Sequence, residues 1–275
     1  MNTIGSLIGG VYGARRRLAQ AFAPEPIEAN ESARILEEDG VVILPSLLPA
    51  KLIDGINQAN AGYYDLSRPE ELLYSPDLVE VREAAGATPD ELRRFYGLHI
   101  KNYQEKFDVY RHVVPRIDPI MRSYYRSRFY VRDVYCYRTQ PVPTVSGSYR
   151  WHTDNYPIGS SRAIVYLNDV DSVENGPLAV ALGSHAGYRP ELGRIGARFE
   201  ESYVRDNFKI LPCLGKKGTV ILFNNNSIHR ATDPARGHRD VINFIMFPAL
   251  FPRLGRGPTG ADLRTEDNWL KKYTR

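Results

Sequence analysis

The apolar positions along the chain change their period once. From Asn30 to about Arg126 they recur mostly at helical spacing. Ser32 to Glu38 reads as a helix stopped by Asp39-Gly40, and Val41 to Leu44 as a buried strand. Pro49 to Tyr63 reads as a helix with Leu52, Ile56 and Ala59 on one face. Thr88-Pro89-Asp90-Glu91 is a sharp helix start, with Thr as cap, Pro at the first helical position and Glu closing a capping box. Residues 101–126 are helical in composition, and Pro115 and Pro119 are expected to interrupt them.

After Ser127 the period falls to two. Phe129, Val131, Asp133, Tyr135 and Tyr137 are expected on one face of a strand, and Tyr130, Arg132, Val134, Cys136 and Arg138 on the other. Short strands are predicted at 147–151, 163–167, 177–182, 219–223, 227–231 and 241–247. Turn chemistry separates them at Glu174-Asn175-Gly176, Gly183-Ser184, Gly215 to Gly218 and Asp233-Pro234. This pattern predicts an α+β fold with a mainly β core, a sandwich or barrel with the earlier helices packed on one sheet. No repeat or strong boundary follows residue 30, so residues 30–275 read as one domain and residues 1–29 as an arm and linker.

The arm has its own character. Met1 to Phe22 contains no Asp or Glu, carries Arg15, Arg16 and Arg17 in a row, and places Ile4, Leu7, Ile8, Val11, Leu18 and Phe22 near helical spacing. Gly5, Gly9, Gly10 and Gly13 weaken such a helix by up to ~1 kcal/mol each. A weakly ordered arm is the expectation, and peripheral membrane contact through residues 1–22 is the alternative. A secretory signal would place its charges before the apolar stretch, not after it.

Composition narrows the class without choosing a function. The 275 residues are 43% hydrophobic and 25% charged, which excludes disordered, collagenous and disulfide-scaffold classes. A net charge of +4 with interspersed signs implies no polyanionic partner. The longest apolar runs fall far short of the ~20 residues that cross a bilayer, so no transmembrane segment is expected. Cys136 and Cys213 read as buried thiols in a reducing, cytoplasmic setting. The stretch from Arg122 to Arg132, with four arginines and four aromatics, reads as a strand edge after an amphipathic helix, not as a nucleic-acid surface.

Chemistry enters through the six histidines, at 99, 112, 152, 185, 229 and 238. In extended backbone, residues i and i+2 point to the same side, so His152 and Asp154 in His152-Thr153-Asp154 can converge on one metal ion. His229, in a strand-like segment after Phe223 and three asparagines, is the best third ligand. Two histidines and a carboxylate leave three sites open on a six-coordinate ion, an arrangement suited to oxygen-activating Fe(II). Arg239 lies ten residues after His229, at the start of the apolar run Val241 to Phe247. Buried there it needs an anion, and a bidentate pair with a carboxylate is its strongest option.

With these residues in place, the chain resembles the phytanoyl-CoA dioxygenase-like (PhyH) branch of the Fe(II)/2-oxoglutarate-dependent oxygenases. Four stretches carry the likeness in order: Asp39 to Pro45, Tyr149 to Asp154, Val165 to Val170 running into Glu174 to Leu178 and Gly183-Ser184-His185, and Phe223 through His229 to Arg239. The resemblance implies a double-stranded β-helix, a jelly-roll or cupin-like variant, with Fe(II), 2-oxoglutarate and O2 as cofactors. It implies His152, Asp154 and His229 as metal ligands and catalytic centre, and Arg239 as the partner of the distal 2-oxoglutarate carboxylate. Tyr149 is expected to face the cosubstrate. Relatives often place Ser two residues after the distal histidine; here that position is Ala231, with Thr232 or a tyrosine of the Tyr135/Tyr137 strand as the stand-in.

Because Asp154 retains the carboxylate that halogenating relatives lack, the resemblance implies hydroxylation of an unactivated C–H bond with release of succinate and CO2. The substrate is expected to be a small, polar or anionic molecule, or a carrier- or glycan-linked one. A non-enzymatic jelly-roll binding protein with a structural metal, and a metal-dependent hydrolase or isomerase on a cupin-like barrel, are the alternatives. His185 is expected to be a structural turn residue, and His238 to lie in a solvated turn.

Overall fold

The computed structural model describes residues 28–61, 72–73, 98–100, 106–139, 141, 147–154, 156, 159–186, 197–235 and 237–248. The expected basic arm, the helix start at Thr88 and the first part of the 101–126 segment lie outside these residues. Four layers build up in order: helices, a seven-stranded antiparallel sheet, a three-stranded antiparallel sheet, and one short helix.

α1 (Glu31–Asp39) begins where the Asn30 side chain accepts from the backbone N–H of Ala33, and ends on Gly40, whose φ of 77° suits a residue without Cβ. That glycine turns the chain directly into β1 (Val41–Leu44). α2 (Ala50–Asn60) follows, burying Ile53 and Ile56. β2 (Leu72–Leu73) and β3 (Leu98–Ile100) are short strands that finish one side of the large sheet, with β2 at its edge.

α3 (Lys106–Tyr125) runs unbroken through Pro115 and Pro119, against the sequence expectation. Each internal proline costs roughly 3 kcal/mol. Val109, Val113, Val114, Ile117, Ile120 and Met121 are all buried in the core beneath the helix, and each such burial contributes ~1.5–3 kcal/mol. Tertiary packing therefore outweighs the two missing backbone donors.

The large sheet has the order β1-β8-β5-β10-β4-β3-β2, with β4 (Phe129–Thr139), β5 (Ser161–Tyr166), β8 (Val220–Asn224) and β10 (Arg239–Pro248) at its centre. The small sheet has the order β7-β6-β9, from β6 (Leu178–Ala181), β7 (Ile210–Cys213) and β9 (His229–Ala231). The two sheets face each other across a core of Ile164, Tyr166, Ile221, Phe223 and Val241 from one and Leu178, Val180 and Cys213 from the other. This is the double-stranded β-helix. On the outer face of the large sheet, Ala163, Val165, Val220, Leu222, Ile242, Phe244 and Met246 pack under α1, α2 and α3. On the outer face of the small sheet, Ala179 and Ala181 pack against Trp151, Phe199 and Val204, the last from α4 (Glu201–Asn207).

One alternation departs from expectation. The register of β4 against β10 shifts between Ile245 and Met246, so that Ile245 pairs with Asp133 and Met246 with Val131. The extra residue is a β-bulge, and it inverts the parity of the strand on either side. Phe129 and Val131 therefore join Val134 and Cys136 under the helices, while Tyr135 and Tyr137 lie toward the other sheet. Tyr124, Tyr125 and Phe129 are buried and Tyr130 half-buried, so three of the four aromatics of the arginine-rich stretch are core residues. Both cysteines are buried as free thiols, in separate cores. Among the described residues no helix is long and apolar enough to cross a membrane.

Candidate metal centre

The segment preceding His152 is not the expected strand. Gly147–Tyr149 is a single 3-10 turn, and extended backbone begins only at the histidine. His152 and His229 exchange backbone hydrogen bonds, N–H to O at 2.9 Å in both directions. Thr153 N–H donates to Ala197 O at 3.0 Å and Asp154 N–H to Asn225 O at 3.0 Å. These bonds tie the His-x-Asp segment to the start of β9 and to the loop after β8. The convergence expected from i, i+2 spacing is present, although the strand meant to carry it is absent.

His152, Asp154 and His229 place one ligand atom each within 4.8 Å of one another. His152 Nε2 lies 3.9 Å from Asp154 Oδ1, and His229 Nε2 lies 3.7 Å from Asp154 Oδ2. Each imidazole is anchored through Nδ1 to a backbone carbonyl, His152 to Arg150 O at 2.8 Å and His229 to Ser227 O at 2.9 Å. Nδ1 therefore carries the proton and Nε2 presents its lone pair to the centre, as metal-binding histidines require. Phe223 packs edge-on to the His229 ring at 5.0 Å.

The electrostatics agree with this assignment. Burial, reinforced by the neighbouring His229, pushes the His152 imidazole down to about 3. Burial likewise lowers His229. Both rings are therefore neutral near pH 7, the form in which an imidazole can bind a metal. Burial alone would raise Asp154, but the Arg162 guanidinium, followed by the two histidines, outweighs it and holds the carboxyl below its usual range. Arg162 Nη2 approaches Asp154 Oδ2 at 2.7 Å, yet no donor is aligned to hydrogen-bond that oxygen. A buried carboxylate oxygen without a hydrogen bond, facing two imidazole lone pairs, is a donor set that fits a divalent ion.

Arg239 is buried on the lumen side of β10, 2% exposed. Its guanidinium donates to Gly176 O and, at 3.2 Å, to Thr139 Oγ1, while Nε has no partner. Asp240 faces the other way and pairs with Arg138 through two bonds of 2.8 Å, so among the described residues no acid pairs with Arg239. Thr232 donates its hydroxyl to Pro177 O at 2.5 Å, which commits its only side-chain proton. Tyr149 is buried at the end of its turn, just ahead of the His-x-Asp segment. His185 bonds Glu37 O at 3.0 Å and packs against Gly40, a structural position at the end of α1. His238, 41% exposed, pairs with Asp240 at 3.3 Å.

Two groups around the centre are not evident from the sequence. Arg162 on β5 is one; its only signal is a lone arginine ahead of the apolar run Ala163 to Leu167. The other is a latch behind the ligands. Glu201 Oε2 accepts from Trp151 Nε1 at 2.7 Å and from Arg230 Nη1 at 2.6 Å, and Arg230 stacks on Trp151 at 4.5 Å. Trp151 precedes one histidine ligand and Arg230 follows the other, so Glu201 clamps both ligand segments from the outer face.

The model of the phytanoyl-CoA dioxygenase (PhyH) family matches residues 36–235, which is most of the chain and all of the triad. The chain belongs to the PhyH family. No curated protein sequence matches it significantly. Solved structures with the same fold include SnoN, a non-haem α-ketoglutarate-dependent epimerase of nogalamycin biosynthesis, at 17% identity and TM-score 0.61 over 79% of this chain and 82% of that one. EctD from S. alaskensis aligns at 19% identity and TM-score 0.58 over 82% of each chain. HygX from Streptomyces hygroscopicus, solved with nickel, 2-oxoglutarate and hygromycin B, aligns at 14% identity and TM-score 0.53 over 82% of this chain and 89% of that one. As a PhyH protein the chain is a non-haem iron, 2-oxoglutarate-dependent oxygenase, with Fe(II), 2-oxoglutarate and O2 as cofactors.

Proposed function

We propose that this PhyH protein hydroxylates an unactivated C–H bond of a small molecule, coupled to conversion of 2-oxoglutarate to succinate and CO2. The observation that carries the reading is the triad itself: two neutral imidazoles with Nε2 turned inward and one ionised carboxylate, all buried at one end of the lumen. His152, Asp154 and His229 would hold the ferrous ion, and bound there the ion supplies oxygen activation. Three protein ligands would leave three positions of a six-coordinate ion for cosubstrate and O2. Retention of Asp154 favours hydroxylation over halogenation.

Arg239 is the residue for the distal carboxylate of 2-oxoglutarate. Its side chain is buried and its Nε unpartnered, so a carboxylate gains a charge-assisted bond where the lumen now offers only carbonyl and hydroxyl acceptors. Arg162, Arg239 and Asp154 sum to +1 without metal and to +3 with it, a charge that a dianion offsets. Burial of Tyr149 just ahead of the His-x-Asp segment supports a role in lining the cosubstrate pocket. Residues 30–275 form the catalytic domain, and residues 1–29 an arm suited to peripheral contacts. The two buried thiols favour a reducing, cytoplasmic setting.

SnoN and SnoK, an epimerase and a carbocyclase, share this fold and serve rearrangements, and such chemistry is the second reading. The test is succinate formation from 2-oxoglutarate by the Fe(II)-loaded protein under O2, with candidate polar and anionic metabolites added in pools. A product heavier by one oxygen atom supports hydroxylation, and a product of unchanged mass or lighter by two hydrogens selects the second reading. Succinate formation by His152→Ala equal to wild type overturns the site.

A further inference from the structure

A second charged group is built into the candidate metal centre, and no oxygenase step accounts for it. Arg162 projects from β5 into the lumen between Phe223, which faces it across the sheet, and Tyr156. Its guanidinium carbon lies 5.7 Å from the Tyr156 ring and 5.8 Å from the Phe223 ring, a cation held between two aromatic faces. Nη2 lies 2.7 Å from Asp154 Oδ2, with side chains only 12% and 11% exposed. Nε is buried without a partner. A surface ion pair would be worth little, but removing one partner from a buried pair leaves an uncompensated charge and is strongly destabilising.

We propose that Arg162 is a positioning residue: it holds the Asp154 carboxylate in the ligand-ready orientation before metal arrives, and competes with the metal for Oδ2. This rests on the triad being the metal site. The two histidines are fixed by backbone carbonyls, but Asp154 has only its backbone N–H tied to Asn225 O. Without Arg162 the carboxylate loses the guanidinium 2.7 Å away, and Arg198 acts on it only from a longer range. With Arg162 on Oδ2, Oδ1 remains toward His152, and the ion meets a carboxylate with one oxygen already engaged. Phe223 neighbours both the guanidinium, at 5.8 Å, and the His229 ring, at 5.0 Å.

Two linked measurements test this. The first is a double-mutant cycle on metal-free protein, with Arg162→Met, Asp154→Asn and the pair, read by thermal melting. Arg162→Met is expected to lower Tm by about 10 °C or more, the shift that loss of a buried ion-pair partner gives in a domain of this size. The double variant is expected to melt clearly above the Arg162→Met protein, since it removes the stranded carboxylate. Additive losses would overturn the pairing, whatever the metal does. If Arg162→Met does not fold without metal, recovery of a melting transition in the double variant supports the pairing equally, and its absence there overturns it.

The second measurement titrates Co(II) into wild type, Arg162→Met and Arg162→Lys anaerobically, reading Kd by calorimetry, Tm, and the visible absorption of bound Co(II). Competition predicts roughly tenfold or tighter Co(II) binding and a larger metal-induced Tm rise in Arg162→Met than in wild type. It also predicts a changed Co(II) spectrum, because the freed oxygen can join the ion. Arg162→Lys, which keeps the charge, should stay near wild type in affinity. Equal affinity and equal spectra in all three proteins would overturn the competition. No Co(II) uptake by wild type, with coupling intact in the cycle, would overturn the proposed function and not the pairing.

Discussion

The two faces of β10 are made from alternate residues of one strand, and they are finished to different degrees. Ile242, Phe244 and Met246 point toward the helices and are buried among apolar neighbours. Arg239, Val241 and Asn243 point into the lumen, where Arg239 Nε and both amide atoms of Asn243 have no hydrogen-bond partner. The helix side has orphans too, such as Asn60 Oδ1 and Ser161 Oγ, but these are single neutral atoms. The lumen adds two guanidinium nitrogens without a hydrogen bond, and a carboxylate oxygen held only by its ion pair with Arg162. Unsatisfied charged groups are costly in a folded protein unless a ligand completes them. One face of the strand holds the fold, and the other carries unpaired polar atoms into the lumen.

The sharpest way to break this comparison is to damage each face separately. His229→Ala removes an inward Nε2 and is expected to abolish succinate formation and metal uptake, while the metal-free melting temperature moves little. Phe244→Ala empties a site in the helix-side core and is expected to cost about 3–5 kcal/mol of stability by denaturant titration, with metal affinity of the folded protein unchanged. If Phe244→Ala weakened metal binding as much as His229→Ala, the two faces would not be separable.

The lumen side should also respond to pH where the helix side does not. His152 has a folded pKa of about 3, below the unfolded value near 6.5. The unfolded chain therefore binds more protons as pH falls below 6.5. The contribution of neutral His152 is fully present above that pH and is lost on the way down toward the folded value, at about 1.4 kcal/mol per pH unit. Metal-free protein should lose stability between about pH 6.5 and 5, measured by urea midpoints, and His152→Leu should reduce that slope to the part that His229, also lowered by burial, contributes.

Behind the ligands, Glu201 sharpens the comparison between direct and indirect support. It joins Trp151 and Arg230 from outside the small sheet, so Glu201→Ala should loosen both histidine segments without touching a ligand. A roughly tenfold weaker Co(II) affinity is expected, at the low end of what outer partners of metal ligands contribute. Unchanged affinity with a lowered Tm would make the latch purely structural.

Much of this was legible in the chain and some was not, for separable reasons. The central strands and the triad were readable because alternation and His-x-Asp spacing are local signals. The unbroken α3 was not, because its stability comes from six buried side chains that a local rule about Pro115 and Pro119 ignores. α4 and β7 were hidden too. α4 has seven residues, no side-chain N-cap bond and one buried residue, Val204, and it is held by contacts from Glu201 to residues far away in sequence. The bulge in β4 was invisible because one extra residue changes parity without changing composition. Arg162 was missed because its significance depends on Asp154 lying beside it, which only the fold brings about.

The smallest effect, on Asn243, asks what the unfinished face does for function. Asn243 lies opposite Ile164 on β5 and Tyr135 on β4, fully buried, with its amide donors and acceptor unpaired. An unsatisfied buried amide costs about 1–3 kcal/mol relative to a paired one, and an apolar side chain of similar size carries no such penalty. Asn243→Val should therefore raise the metal-free stability by about 1 kcal/mol, the opposite sign to most core substitutions. If the amide exists to meet a ligand, the same variant should bind 2-oxoglutarate more weakly in the Co(II)-loaded protein. A gain in stability with unchanged 2-oxoglutarate affinity would place Asn243 outside the binding face and confine that face to Arg162, Asp154 and Arg239.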